Sequence, residues 1–162
     1  MGAGVKMIEK RGKIKDLNET KLSISKLGGV FLGQYAFIDK VTFNANGIQK
    51  LRYVSRNNKP GKRYILIVKC GNEVLSRVEF QNEEDVPKFE NYIEYSRIGY
   101  EYKLDDMKIF VEDIDRFGAS VEIEGNDEKE IDDLLEKIGV VEVLDKSLAE
   151  VMKDLDGYNE II

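Results

Sequence analysis

Two glutamates one residue apart, Glu122 and Glu124, lie in the stretch "SVEIEG" (120–125), whose valine and isoleucine are typical of a β-strand. Residues two apart on a strand point to the same side of it, so both carboxylates would share one face. Like charges at that spacing repel, and their burial is costly unless a positive group lies between them. Carboxylate oxygens are ligands that Mg²⁺ and Mn²⁺ prefer. We therefore interpret the pair as part of a divalent-cation site.

Charged residues of both signs recur at the same two-residue spacing in other strand-like stretches. They are Glu9, Arg11, Lys13, Arg52, Arg56, Arg77, Glu79, Lys108 and Glu112. Any one of these strands alone would be read as amphipathic with a solvated face. If helices cover the apolar face of the sheet, however, the charged faces turn inward together. Arginine and lysine would then bind phosphate oxygens while the glutamates hold the metal, which predicts a site for a polyanion with its cation.

Eight strands must position these residues, and the sequence predicts them near 5–14, 35–43, 48–56, 62–70, 74–81, 94–103, 107–113 and 118–124. Turn signals such as "NANG" (44–47) and "NNKPG" (57–61) separate several of them, so most neighbours are hairpin-linked. The fold class predicted is α+β. It consists of an eight-stranded antiparallel sheet closed into a barrel, with helices packed outside.

Four helices account for the remaining sequence. "DLNETKLSISKLGG" (16–29) begins with the capping box Asp16 to Glu19, and another capping box, Asp127 to Glu130, begins a second helix. "NEEDVPKFENYI" (82–93) and the segment after Ser147 have apolar residues at helical spacing. Each helix has one apolar stripe, which indicates that it covers a sheet. One domain over 1–162 is expected, with a core at about 5–155 and a loose C-terminal tail.

Composition excludes several classes of site. The 162-residue chain contains no histidine, which removes Ser-His, Cys-His and His-metal chemistry and leaves oxygen ligands for any metal. One cysteine cannot form an internal disulfide and fits a reducing compartment. The net charge of −6 argues against nucleic acid as a partner. No apolar run reaches the roughly 18 residues that span a bilayer. We expect a cytoplasmic protein with no membrane partner.

In their order along the chain, these motifs resemble the CYTH superfamily, also called the triphosphate tunnel metalloenzymes. "FVEDIDRFGASVEIEG" (110–125) is similar to the family's acid, turn and paired-glutamate strand, and "SRVEF" (76–80) resembles its Arg-x-Glu strand. "KLRYVSR", "YILIVK" and "YSRIGY" resemble three further strands of the family, and "KSLAEV" resembles its C-terminal helix start. The family includes class IV adenylyl cyclases, thiamine triphosphatases and inorganic triphosphatases, which bind a triphosphate and a divalent metal in an eight-stranded tunnel.

The resemblance implies roles for individual residues. The residues implied to bind phosphate are Arg11, Lys13, Arg52, Lys69, Arg77 and Arg97. Those implied to bind Mg²⁺ or Mn²⁺ are Glu9, Glu122 and Glu124, and Glu79 or Glu112 would help at that metal or at a second one. The catalytic groups implied are Glu79, Glu112 and Arg77. The partner expected is a triphosphate-containing small molecule, and a homodimer is the one assembly considered.

The sequence departs from the family's Glu-x-Glu-x-Lys signature at its N-terminal strand. One alignment reads Met7, Glu9, Arg11 and the other reads Glu9, Arg11, Lys13, so each loses one metal-binding carboxylate. Val54 also replaces the second arginine of the Leu-Arg-x-Arg strand. Three functions therefore stay open. They are hydrolysis of an inorganic, thiamine or nucleoside triphosphate, a class IV adenylyl cyclase, and a catalytically impaired module that binds a phosphorylated ligand.

Overall fold

The computed structural model describes residues 7–45, 47–56, 59–70 and 73–156. The strands are β1 (Ile8–Lys13), β2 (Val30–Asn44), β3 (Gly47–Arg56), β4 (Lys59–Cys70), β5 (Glu73–Phe80), β6 (Ile93–Leu104), β7 (Met107–Ile114), β8 (Gly118–Gly125) and β9 (Glu142–Val143). The helices are α1 (Leu17–Lys26), α2 (Glu128–Lys137) and α3 (Leu148–Asp156), and a single 3₁₀ turn covers Glu83–Asp85. The prediction of an α+β protein built on an antiparallel sheet is confirmed.

The nine strands follow one another in the sheet in the order β5-β4-β3-β2-β6-β7-β8-β1-β9. Strand β1 pairs with β8 and with β9, and β7 pairs with β8. Strands β2, β3, β4 and β5 pair in succession. All these pairs are antiparallel. Among the described residues β5 and β9 each have one neighbour, so this pairing does not close into a ring. The predicted closure into a barrel is therefore not confirmed.

Two compact units make up the chain. The first contains 1–34, 98–114 and 118–145, and the second contains 35–97, 115–117 and 146–162, so β2 and β6 each contribute to both. The single domain over 1–162 stays a prediction, and the predicted tail after Asp156 lies outside the described residues. No helix in the described part of the chain is long and apolar enough to cross a membrane.

The first unit has its core on one face of β1, β7 and β8, where α1 and α2 cover it. Alternate residues of β7 and β8, among them Ile109, Val111, Val121 and Ile123, are fully buried and pack with Ile131 of α2. Both predicted N-caps form, because the Asp16 side chain accepts a hydrogen bond from the Glu19 amide and the Asp127 side chain accepts from the amides of Lys129 and Glu130. The opposite face of the same strands carries the charged residues, as the alternation predicted.

The second unit buries Phe37, Val41 and Val54 on its strands and one face of α3, which contributes Leu148 and Met152. The α3 helix begins at the predicted place, since Ser147 accepts a hydrogen bond from the Glu150 amide. Lys153 of α3 lies over the ring of Phe43, with its Nζ 4.8 Å from the ring centroid.

The helix predicted over 82–93 does not form, and only the 3₁₀ turn at Glu83–Asp85 appears there. Pro87 explains the difference. A proline disfavours helical geometry in the residue before it and lacks the amide hydrogen that a helix needs. Val86 is accordingly extended, with φ −76° and ψ 129°. The spacing of Val86, Phe89 and Ile93 therefore does not describe a helical face, and Ile93 begins β6.

Candidate functional site: two charged clusters

Cross-strand register brings the predicted charged residues of the first unit onto one face. Glu9 lies opposite Glu124, and Arg11 lies opposite Glu122, across the β1–β8 pair. On the other side of β8, the strand β7 brings further residues to this face, and the pairs there are Lys108 with Glu124, Phe110 with Glu122, and Glu112 with Ser120. Directly opposite residues of an antiparallel pair point to the same side. One face of β1, β7 and β8 therefore carries four glutamates.

Three of these glutamates form what we call the carboxylate cluster, namely Glu9, Glu122 and Glu124. One carboxylate oxygen from each lies within 4.8 Å of the others. Burial, with the negative charges of Glu122 and Glu9 adding to it, raises the pKa of Glu124 to about 7, although Lys108 lowers it in part. A carboxyl group so displaced is a sign that negative charge is in excess here.

The guanidinium of Arg11 satisfies part of this charge. Its Nη1 donates to Glu112 Oε1 at 2.7 Å and to Ser120 Oγ at 2.8 Å, and its Nη2 donates to Glu122 Oε2 at 2.6 Å. Arg11 is 9% exposed and Glu112 is 1% exposed, so this pair is removed from solvent. Arg11 therefore binds protein carboxylates, and Glu112 is linked to the carboxylate cluster through it.

The carboxylate cluster fits a hard divalent cation. Three carboxylate groups at this separation offer the oxygen donors that Mg²⁺ and Mn²⁺ take, and the raised pKa of Glu124 shows that a positive charge would be favourable there. Glu9 is exposed while Glu122 and Glu124 are partly buried, so solvent reaches one side of the cluster. Both alignments of the N-terminal strand contain Glu9.

In the second unit, register also collects the predicted residues on one face. One row across the sheet consists of Asp39 on β2, Arg52 on β3, Ile65 on β4 and Glu79 on β5. The next row on the same face, two residues further along the strands, consists of Lys50, Ile67 and Arg77. Lys69 lies opposite Ile48, which shares the face of Lys50. Arg52, Lys69, Arg77 and Glu79 thus point to the same side of the sheet.

Arginines of this face converge on one buried carboxylate, Asp39. Arg52 binds it with two parallel hydrogen bonds, from Nε to Oδ1 at 2.9 Å and from Nη2 to Oδ2 at 3.1 Å, and Arg97 Nη2 donates to Oδ2 at 3.3 Å. The ring of Phe37 packs against both guanidiniums, with its centroid 4.3 Å from Arg52 Cζ and 5.1 Å from Arg97 Cζ. Asp39 is 1% exposed. Burial opposes its ionisation, but Arg52, Arg97 and Lys50 together hold its pKa well below the usual range.

Lys50 completes what we call the arginine cluster, which consists of Asp39, Lys50, Arg52 and Arg97. Lys50 is 7% exposed, and its desolvation, together with the positive charge of Arg52, lowers its pKa to about 7. Asp39 acts in the opposite direction and does not compensate. Three basic residues therefore act on one buried carboxylate.

Sequence reasoning missed Asp39 and Lys50. Both had a visible signal, because each is a charged residue at two-residue spacing from neighbours predicted to lie on strands. Asp39 lies two residues from both Phe37 and Val41, on the same face of the strand, and Lys50 lies two residues before Arg52. A charged residue within an otherwise apolar face is rarely buried without a partner, so this pattern predicts a buried ion pair.

Other predicted site residues lie nearer to solvent. Arg77 and Glu79 are exposed on β5, and Glu79 forms an ion pair with Arg63. Lys69 is partly exposed, and Lys13 is exposed opposite Ser120. Glu79 and Arg77 belong to the second unit and Glu112 belongs to the first, and the joint catalytic role of the three stays a prediction.

Comparisons with known proteins bear on the fold. The chain is similar to the PH1819 protein from Pyrococcus horikoshii OT3, with a TM-score of 0.75 and 16% identity over 93% of this chain and 98% of that one. For a candidate adenylate cyclase from Vibrio parahaemolyticus, the TM-score is 0.64 and the identity is 11% over 93% of this chain and 99% of that one. For HpAC1 from Hippeastrum, a candidate adenylyl cyclase described as having a dominant triphosphatase activity, the TM-score is 0.56 and the identity is 11% over 96% of this chain and 98% of that one.

No protein-family model matches the chain, and no curated protein sequence gives a significant match. Identities of 11 to 16% carry information about the fold alone. At that level the chain shares its fold with candidate adenylate cyclases, as the resemblance seen in the sequence implies. The reaction, the substrate and the roles of the individual site residues stay predictions.

Proposed function

We propose that this protein binds a triphosphate together with Mg²⁺ or Mn²⁺ and hydrolyses it. The substrate would be an inorganic, thiamine or nucleoside triphosphate. The arginine cluster is the phosphate-binding site of this proposal, and the carboxylate cluster is its metal site. The proposal also includes the cytoplasmic location expected from the composition.

The observation that carries the proposal is the convergence of three basic side chains on one buried carboxylate in the arginine cluster. Arg52, Arg97 and Lys50 all lower the pKa of Asp39. Burial of a positive group is costly in free energy, and the lowered pKa of Lys50 expresses that cost. A bound polyanion would reduce it. Phosphate oxygens suit guanidinium groups in particular, because their geometry allows paired hydrogen bonds.

The carboxylate cluster would bind the metal. A divalent ion bound to Glu9, Glu122 and Glu124 would neutralise phosphate oxygens and stabilise charge on the transferring phosphoryl group. The protein's own residues would orient the phosphate chain and stabilise the charge that develops during transfer, which is electrostatic catalysis. Arg77 and Glu79, which share the face of Arg52, would assist at the phosphates and at the attacking water respectively.

One neighbour supports hydrolysis. HpAC1, whose fold this chain shares, is described as having a dominant triphosphatase activity. The alternative reaction is that of an adenylyl cyclase, because other neighbours are candidate adenylate cyclases. A cyclase directs the 3′-hydroxyl of ATP at the α-phosphate, whereas a hydrolase activates water against the γ-phosphate.

The test is release of phosphate from tripolyphosphate, thiamine triphosphate and ATP with Mg²⁺ or Mn²⁺, alongside an assay for cyclic AMP. Glu122→Gln removes one charge from the carboxylate cluster and should lower the rate at least a hundredfold. Glu136→Gln, an exposed glutamate of α2, is the matched control and should leave the rate unchanged. Formation of cyclic AMP without release of phosphate would favour the cyclase.

A binding module without turnover is the remaining alternative. In that case tripolyphosphate raises the melting temperature, Arg52→Ala removes the shift, and no product forms. Lys88→Ala is the control here, since Lys88 is an exposed cation of the same unit. If no polyphosphate shifts the melting temperature and none is hydrolysed, the proposed function is wrong.

A further inference from the structure

We propose that Arg11 is a built-in cation that takes the place of a second metal ion, so that the protein holds one divalent ion instead of two. The inference deepens the proposed function, on which it depends for the single metal. The one ion would bind Glu9, Glu122 and Glu124. The guanidinium of Arg11 would occupy the position between Glu112 and Glu122.

The geometry of Arg11 is that of a bridging cation. Nη1 lies 2.7 Å from Glu112 Oε1 and Nη2 lies 2.6 Å from Glu122 Oε2, so one guanidinium links two carboxylates. A divalent ion shared by two carboxylates makes the same kind of link. Nη1 also contacts the hydroxyl of the fully buried Ser120 at 2.8 Å, which fixes the orientation of the guanidinium.

Burial makes this link difficult to replace. The side chain of Arg11 is 9% exposed and that of Glu112 is 2% exposed. A carboxylate so deeply buried requires a counter-charge, and Arg11 provides it in the described structure. A metal ion between Glu112 and Glu122 would compete with Arg11 for the same two carboxylates. It would also lie against a fixed positive charge, so the guanidinium excludes it.

Arg11 is also a positioning residue for the metal that does bind. It holds Oε2 of Glu122, and Glu122 belongs to the carboxylate cluster. The arrangement therefore orients Glu122 towards Glu9 and Glu124 from a fixed point on β1. The neighbouring residue Lys10 shows the contrast, because it points to the other face of β1 and binds Glu128 and Asp132 of α2 near the surface.

The experiment counts Mn²⁺ ions on protein stripped with EDTA, by electron paramagnetic resonance of free Mn²⁺, and records the melting temperature with and without the metal. The variants are Arg11→Gln and the double variant Arg11→Gln with Glu112→Gln, which removes both buried charges together. Lys10→Gln is the matched control, since it removes one positive charge from the next residue of the same strand.

We expect one Mn²⁺ for the wild type, for Lys10→Gln and for the double variant, and two for Arg11→Gln. Without metal, Arg11→Gln should melt roughly 10 °C below the wild type because it leaves Glu112 unbalanced, and Mn²⁺ should recover most of that loss. The double variant should melt close to the wild type, because no buried charge remains unbalanced.

Two Mn²⁺ ions on the wild type would overturn the inference. So would a single ion on Arg11→Gln with an unchanged melting temperature. If Arg11→Gln does not fold, the stoichiometry of the wild type and the folding of the double variant still decide. A wild type that binds no Mn²⁺ while Arg11→Gln gains one would support the cation role of Arg11 and contradict the proposed metal dependence, so the two failures are distinct.

Discussion

The carboxylate cluster and the arginine cluster have inverse charge patterns. On the charged face of the first unit, glutamates surround one buried arginine, Arg11, which bonds to two of them. In the second unit, basic residues surround one buried carboxylate, Asp39, which two of them bind. In each case the residue of the minority sign makes the hydrogen bonds that hold the others in place. Each cluster thus contains more groups of one charge sign than of the other.

The two clusters also differ in their access to water. Asp39, Lys50 and Arg97 are all buried, whereas Glu9 is exposed and Glu122 and Glu124 are partly buried. In both clusters a shifted pKa favours the neutral form of one residue, since the pKa of Glu124 is raised and that of Lys50 is lowered. Charge in excess therefore costs more in the arginine cluster, and changes there should have the larger effects.

Loss of the internal carboxylate should have the largest effect. Asp39→Asn removes the charge that Arg52 and Arg97 share, and we expect a loss of about 3 to 5 kcal/mol in the free energy of unfolding. Tripolyphosphate should raise the melting temperature of this variant more than that of the wild type, since an anion can replace the missing charge. Differential scanning fluorimetry measures both.

Asp154→Asn is the control for Asp39→Asn, because the ion pair of Asp154 with Lys146 is exposed to solvent. It should change the free energy of unfolding by less than about 1 kcal/mol. Equal effects of the two substitutions would show that Asp39 does not hold the arginine cluster together.

Lys50 should make the stability of the second unit increase with pH. Its pKa is about 7 in the folded protein and near 10.5 in an unfolded chain. Between these values the unfolded state binds one more proton, so the free energy of unfolding rises with pH, by on the order of 3 kcal/mol from pH 7 to pH 10. Urea denaturation across this range would show the rise, and Lys50→Met should remove it. A wild-type curve that coincides with that of Lys50→Met would contradict the burial of Lys50.

Glu124 should produce the opposite slope in a lower window. Its folded pKa of about 7 lies above the usual value of 4.5, so the folded state binds the extra proton between those values. The free energy of unfolding of the metal-free protein should therefore fall as the pH rises from 4.5 to 7, by about 1 to 2 kcal/mol after solvent screening. Urea denaturation in EDTA checks this, and Glu124→Gln should not show the fall. A slope that persists in Glu124→Gln must come from another carboxylate.

The aromatic ring under the arginines should have the smallest effect. Phe37→Leu keeps an apolar side chain but removes the ring face that packs against Arg52 and Arg97. Cation–π contacts contribute about 0.5 to 1 kcal/mol, so the affinity for tripolyphosphate should fall two- to fivefold. Isothermal titration calorimetry measures the change. Phe43→Leu, which lies under Lys153 away from the cluster, should leave the affinity unchanged.

Local rules predicted most of the elements. Alternation located eight strands to within a few residues, and capping residues located the starts of α1, α2 and α3. The segment 30–34 is the exception among the strands, because its exposed apolar residues and its single glycine do not alternate in the way that marks a strand. The two-residue strand β9 is too short to leave a pattern, and it pairs beside Gly12, where an added Cβ would collide with Val140.

The sequence by itself determined which face of each strand carries charge, because the two-residue period of a strand assigns alternate side chains to opposite sides. It thereby located Glu9, Arg11, Glu122 and Glu124 on faces that could meet. Only the tertiary structure decided which charges bind one another. Cross-strand register and burial depend on residues that are distant in the chain, and these made Arg11 a partner of Glu112 and placed Asp39 and Lys50 beside Arg52 in the interior.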